Sequence, residues 1–86
     1  MDKLENQRIK VIKEQYRQGE RVVLVRMEDS AAPQEGTLGT VMGVDDIGTV
    51  HIKWDTGETL GAIIGIDSIR KDGETEHKIS INPFNT

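Results

Sequence analysis

Five acidic residues in or beside the turns of the central segment are the side chains best placed for chemistry. Carboxylates at this density could bind a hard cation, because Ca²⁺ and Mg²⁺ prefer oxygen ligands. Their spacing lacks the pattern of an EF-hand loop, and turn aspartates more often accept hydrogen bonds from their own backbone. We therefore expect no metal, and we predict that these acids contact a protein partner: Asp45, Asp46, Asp55, Glu58 and Asp67.

The other residues that could do chemistry form no recognisable site. His51 and His77 are the only imidazoles, and the chain has no cysteine. A zinc site takes about four ligands, so two histidines with carboxylates are weak evidence for one. Ser30, Ser68 and Ser80 lack a nucleophile elbow or triad signature, and the glycines form no phosphate-binding loop. The sequence predicts neither an enzyme nor a bound cofactor.

Short apolar runs flank these acidic turns and are themselves predicted to be β-strands. Each run is closed by a Gly/Asp turn, which is typical of a tight antiparallel meander. Arg21–Met27 predicts an earlier strand, and Ile69–Lys71 predicts a brief closing strand. The three runs of the meander are Leu38–Val44, Thr49–Trp54 and Thr59–Ile64.

The middle run of the meander alternates most clearly between apolar and polar residues. Val50, Ile52 and Trp54 share one face, so Trp54 is predicted to lie in the core. His51 lies on the opposite face and is predicted to contact solvent. The two flanking turns emerge at opposite ends of this strand, so their acidic residues are not expected to converge.

A helix is predicted over residues 3–17, which contain no Gly or Pro and are rich in good helix formers. Ile9, Ile12 and Tyr16 fall on one face. We favour a helix that covers one open end or face of the sheet, because so small a domain needs the extra burial. The alternative is a helix that docks a partner.

The first strand is apolar on both faces. Either one face meets the helix and the other the barrel, or a β-bulge switches the alternation midway. An outward-facing Val23 or Ile63 could also mark a dimer edge, so the sequence leaves open whether the protein is a homo-oligomer.

Length and composition favour a small soluble protein. At 86 residues the chain is predicted to be one domain, and without cysteine its core must hold without disulfides. No segment has the apolar run of a signal peptide or a transmembrane helix. We therefore expect no membrane association and a cytoplasmic location.

The distribution of charge bears on the choice of partner. The net charge is −4, and residues 28–67 carry eight acids and the single base Lys53. A surface of that sign repels phosphate, so nucleic acid is an unlikely partner and a basic protein is a better one. The alternative, a nucleic-acid-associated barrel, would have to rely on the bases of the helix.

The segment GTLGTVMGVDDIGTVHIKWDTGETLGAIIGIDSIRK resembles a family of short, uncharacterised bacterial and phage proteins catalogued as a domain of unknown function. Members combine an N-terminal helix, a G-x-R-V strand entry and the pattern GTxGTVxGVDDxGxxHVxWDxGSxLxxxxGxD. The entry here is Gly19-Glu20-Arg21-Val22. The pattern is matched at Gly36, Gly39, Val41, Gly43, Asp45, Asp46, Gly48, Trp54, Asp55, Gly57, Leu60, Gly65 and Asp67.

This resemblance implies an SH3-like barrel and no particular activity. Val23 stands where members commonly have a charged residue, and the tail beyond Asp72 is extra. SH3-like barrels usually bind peptides, methyl-lysine or nucleic acid through aromatic side chains. This chain has one Trp, one Tyr and one Phe, so it lacks the rings for those modes.

The resulting prediction is a mainly β domain (α+β by content), a small SH3-like five-stranded barrel or meander preceded by one N-terminal helix. It spans 1–86 as a single domain, with the helix at 3–17, the barrel at 21–71 and a C-terminal hairpin or tail at 72–86. The predicted function is a non-enzymatic protein-binding or adaptor module, in the manner of an accessory or inhibitory protein of a phage or mobile element.

Overall fold

One helix and five strands make up residues 3–73, the part of the chain that the computed structural model describes. The predicted hairpin or tail at 72–86 lies outside the described residues, apart from Asp72 and Gly73. No helix of the described part has the length and hydropathy needed to cross a membrane. The elements are α1 (Lys3–Gln15), β1 (Arg21–Arg26), β2 (Leu38–Val44), β3 (Thr49–Trp54), β4 (Thr59–Ile63) and β5 (Ser68–Lys71).

The five strands form one antiparallel sheet in the order β4-β3-β2-β1-β5. The predicted mainly β domain, with five strands after an N-terminal helix, is confirmed. The sheet is barrel-like but does not close, because β4 and β5 occupy its two edges and do not pair with each other within residues 3–73. Among residues 3–73, each edge strand therefore has one side without a neighbouring strand.

The core lies on the inner face of the sheet, where the alternation of β3 placed it. Val50, Ile52 and Trp54 are buried, and Trp54 is only 1% exposed. Gly39 lies opposite Trp54 in the β2–β3 register. A Cβ atom on Gly39 would lie 2.6 Å from Cγ2 of Ile52 and 2.7 Å from Cε3 of Trp54. The large indole therefore occupies space that a side chain at position 39 would need.

Strand β1 is buried on both faces before a β-bulge and exposed after it. Val22, Val23 and Leu24 are all buried, whereas Val25 is 43% exposed. The register of β1 against β5 shifts between Leu24 and Arg26. The bulge therefore changes the alternation only from Val25 onwards, and it does not account for the burial of Val22 and Val23 on opposite faces. Burial also removes Val23 as a dimer edge.

Helix α1 packs its predicted face against the β2–β3 turn. Ile9 and Ile12 are buried. A Cβ atom on Gly48 of that turn would lie 3.4 Å from Cγ1 of Ile9 and 3.6 Å from Cδ1 of Ile12. Gly48 has a φ of 90°, a conformation that glycine adopts without strain. The helix is thus part of the packed domain, as the favoured interpretation expected, and it ends at Gln15 rather than at residue 17.

Candidate functional site

The fold distributes the five predicted acids over three separate turns. Asp45 and Asp46 lie between β2 and β3, Asp55 and Glu58 follow β3, and Asp67 precedes β5. The first two turns are at opposite ends of β3, as expected from the meander. Within residues 3–73, no group of three His, Asp or Glu side chains could hold a metal ion.

Asp45 is engaged by its own turn and by His51. Its Oδ1 accepts hydrogen bonds from the backbone N–H groups of Ile47 (3.1 Å) and Thr49 (2.9 Å). Its Oδ2 lies 2.7 Å from Nε2 of His51, whose ring is partly exposed. The bond to His51 and these backbone donors hold the pKa of Asp45 below its ordinary value. This carboxylate therefore stabilises the turn, as turn aspartates commonly do.

Asp55, at the other end of β3, is tied to the first strand. Arg21 donates from Nη2 to Oδ2 (2.6 Å) and from Nη1 to Oδ1 (2.9 Å) of Asp55. This two-point bond lowers the pKa of Asp55 and raises the pKa of Arg21. Nearby, Glu58 accepts a hydrogen bond from the Thr56 hydroxyl, which lowers the pKa of Glu58. The sequence placed Arg21 in a different segment and gave no signal of this pair.

Asp46 is the most accessible of the five acids. Its side chain is fully exposed, and Nζ of Lys13 on α1 lies 3.4 Å from its Oδ1. Surface pairs of this kind contribute little to stability. Asp46 therefore remains able to contact a partner.

Asp67 differs from the other four because it is buried, with 9% exposure. Its Oδ1 accepts a hydrogen bond from the N–H of Glu28 (3.0 Å), and its Oδ2 accepts one from the N–H of Ile63 (2.9 Å). Both oxygens thus accept from backbone donors, so Asp67 stabilises the fold, and its contact with a partner stays a prediction. The sequence could not reveal this, because Glu28 is distant along the chain.

Three exposed isoleucines form a feature of which the sequence indicated only Ile63, as an outward-facing residue. Ile47 is 67% exposed, Ile63 48% and Ile66 56%. Ile63 lies opposite Thr49 in the β3–β4 register, Ile47 is in the turn that precedes Thr49, and Ile66 is in the turn that follows β4. All three therefore lie at the same end of the sheet, and we call them the isoleucine patch. For Ile47 and Ile66, an apolar residue inside a turn was the available signal.

An open groove of about 590 Å³ lies towards the other end of β3. Half-exposed Met42 and the side chain of Lys53 line it, together with Gly19 and Asp55. Asp55 is already paired with Arg21. Val41, Met42 and Trp54 supply its apolar lining, of which only Met42 is exposed, and Lys53 adds a cation beside it.

The comparisons with curated proteins and with solved structures found no match. A family model does match, over residues 5–72, and its description is a domain of unknown function, DUF4314. The matched segment covers α1 and all five strands apart from the first two residues of the helix. The chain therefore belongs to the DUF4314 family of domains of unknown function.

Proposed function

We propose that this domain is a non-enzymatic protein-binding module that docks a basic partner on the isoleucine patch. The observation that carries the proposal is the exposure of Ile47, Ile63 and Ile66 at one end of so small a sheet. Exposed apolar groups rimmed by polar residues commonly mark protein interaction sites. The expected partner segment has an apolar side chain for this patch.

The acidic turn beside the patch supports a basic partner. Asp45 and Asp46 directly precede Ile47, and the side chain of Asp46 is fully exposed. The net charge of −4 adds a longer-range attraction for cations. Lys or Arg next to an apolar anchor would therefore complement this end of the sheet. Asp55 and Glu58 lie at the far end of β3 and are not part of this surface.

The proposal also covers the fold family of the domain, its location and its biological role. The sheet order β4-β3-β2-β1-β5 supports assignment to the SH3-like barrels. We further propose a cytoplasmic accessory or inhibitory role in a phage or mobile element. The alternative partner, nucleic acid, is less favoured because residues 28–67 carry eight acids and the single base Lys53.

Affinity purification from the host with paired variants tests the docking surface. Ile47→Ser and Ile66→Ser each remove an apolar anchor from an exposed position, where substitutions change stability by only about 0.5 kcal/mol. We expect both variants to keep the native melting temperature and to lose most of one specific partner, measured by quantitative mass spectrometry. Val11→Ser on α1 and Met42→Ser in the groove, at residues 51% and 50% exposed, are matched controls that should retain it.

The charge component is tested on the purified complex. Asp46→Asn should slow association more than it speeds dissociation, and added salt should weaken binding, because screening reduces the attraction. Equal partner capture by the patch variants and the wild type would contradict the docking surface. Tight, salt-sensitive binding of duplex DNA to the domain would instead favour the nucleic-acid alternative.

A further inference from the structure

The free side of strand β4 can be assigned residue by residue from its hydrogen bonds. The carbonyl of Glu58 accepts from the N–H of Trp54 (2.8 Å), so it points towards β3. The N–H of Ile63 donates to Asp67 and therefore points away from β3. Backbone groups alternate in direction along a strand. The N–H and C=O groups of Thr59 and Gly61 must then point away from β3.

Asp67 sets the end of this free side. Its carboxylate accepts from Ile63, and the carbonyl of Ile63 accepts from the N–H groups of Ile66 (3.0 Å) and Asp67 (2.8 Å). The backbone of Ile63 is thereby satisfied without a further strand. Within residues 3–73, β4 pairs with β3 alone. Thr59 and Gly61 therefore present two donors and two acceptors in a row.

We propose that β4 pairs with β4 of a second copy of this chain, antiparallel, about a two-fold axis at Leu60. This register sets Thr59 opposite the second copy's Gly61, and Gly61 opposite the second copy's Thr59. Each such pair exchanges two backbone hydrogen bonds. The two donors and two acceptors that one copy presents therefore all bond to the other copy. The interface extends the sheet across both copies.

The side chains of β4 suit a copy of the same strand. Thr59–Ile63 contains no charged residue and no proline, the usual devices that protect an edge strand from pairing. Gly61 has no side chain, and Cγ2 of Thr49 would lie 2.6 Å from a Cβ atom there, so each Thr59 side chain faces the Thr49 methyl group of the second copy. The same register brings the 48% exposed Ile63 near the second copy's turn at Gly57.

The charge of the chain gives the dimer a salt dependence opposite to that of the proposed partner complex. Two copies of net charge −4 repel each other, so added salt strengthens their association. Binding of a basic partner weakens in the same titration. The interface is short, so the dimer is weak and should form over a range of about 10 µM to 1 mM chain.

Amide hydrogen exchange by NMR tests the dimer at residue resolution. As chain concentration rises over that range, we expect exchange at Thr59 and Gly61 to slow, while Leu60 and Ala62, already bonded to β3, stay unchanged. Sedimentation should show the mass rising from 9.6 kDa towards twice that value. A monomer at every concentration, or protection confined to β5 in a dimer, would overturn the proposal.

Two variants complete the test. Thr59→Lys adds a charge at the edge, and Thr59→Pro removes one outward donor without touching a bond to β3. We expect each to raise the dimer dissociation constant at least about tenfold at an unchanged melting temperature. Gln34→Lys adds the same charge on an exposed loop and should leave dimerisation as it is. Dimerisation of both Thr59 variants at wild-type strength would also overturn the proposal, whereas the patch variants at Ile47 and Ile66 leave this edge intact.

Discussion

Trp54 contributes most to the core at the level of single residues, through its volume rather than through a hydrogen bond. It is 1% exposed, and its Nε1 has no hydrogen-bond partner among the residues that the structure describes. The indole packs against Ile52 and lies over Gly39, where no side chain intervenes. Its stabilising effect is therefore expected to come from buried apolar surface.

We predict that Trp54→Ala costs about 3–5 kcal/mol of unfolding free energy, because it removes a buried ring and leaves a cavity. A domain of this size has about 5 kcal/mol or somewhat more in total, so the variant should be largely unfolded. Trp54→Phe should cost clearly less, since no hydrogen bond is lost with the indole N–H. Urea denaturation followed by circular dichroism measures both. Native-like stability of the alanine variant would show that Trp54 is not a core residue.

The roles of residues were predictable where they depend on the local sequence pattern. They were not predictable where they depend on partners that are distant along the chain. The alternation of β3 was enough to place Trp54 inside and His51 outside. The bond between His51 and Asp45 stays within one hairpin, yet it needed the turn geometry to be recognised. The burial of Asp67 was not predictable, because it depends on Glu28, which approaches from another loop.

At the level of elements, helix α1 is an integral layer of the domain. Ile9 and Ile12 lie buried against the β2–β3 turn. We predict that Ile12→Asp lowers the melting temperature sharply, because it places a carboxylate in an apolar contact with no partner for its charge. Thermal denaturation followed by circular dichroism is the measurement. Val11→Asp, on the exposed side of the same helix, is the control and should melt close to the wild type.

The alternative role for the helix has its own outcome. A chain lacking residues 1–18 that still melts cooperatively as a soluble sheet would make α1 an appendage. The docking interpretation of the helix would then be the better one. Aggregation or non-cooperative melting of that chain is the expected result.

Element boundaries followed the turn residues closely where turns are local. The bounds of β2 and β3 agree with the predicted runs, because Gly and Asp close both strands. Strand β4 stops at Ile63, one residue early, since Ile64 enters an isolated parallel bridge with Asp67. The bulge in β1 became recognisable only with β5 in place beside it. Barrel closure was overpredicted, because strand patterns carry no information on whether the two edges meet.

At the level of the whole molecule, folding brings together charges that the sequence keeps apart. Lys13 of the helix lies against Asp46, and Arg21 of the first strand lies against Asp55. Lys71 of the last strand lies 3.3 Å from Glu20. The acidic central segment is therefore partly neutralised by the bases on either side of it. Charge counts along the sequence overstate the field of that segment.

These contacts predict a loss of stability in acid. Glu20, Asp45, Asp55 and Glu58 all have pKa values below their ordinary ones. Their stabilising effect is complete above the unfolded-state pKa values, about 4, and is lost as pH falls through the lower folded-state values. The unfolded chain binds more protons in that window, so the unfolding free energy falls with pH.

Asp45→Asn combined with Asp55→Asn should weaken the fall of the unfolding free energy in acid, because both groups stop titrating. Urea denaturation at a series of pH values from about 2.5 to 7 measures the slope, which equals the difference in bound protons. Glu35→Gln, an exposed loop substitution, controls for the loss of one of these two negative charges. If the unfolding free energy of the double variant falls with pH as steeply as that of the wild type, other groups govern acid unfolding.

The pairing of β1 with β5 also brings the first and last of the five strands side by side. Val22 lies opposite Lys71, and the N–H of Asp72 donates to the carbonyl of Arg21 (3.0 Å). The start of the sheet and its end are thus neighbours, so the strand that opens the sheet is held in place by the strand that closes it. Detachment of β5 would therefore leave β1 paired on one side only. A domain fused after Gly73 would begin at the β5 edge, on the opposite side of the sheet from β4.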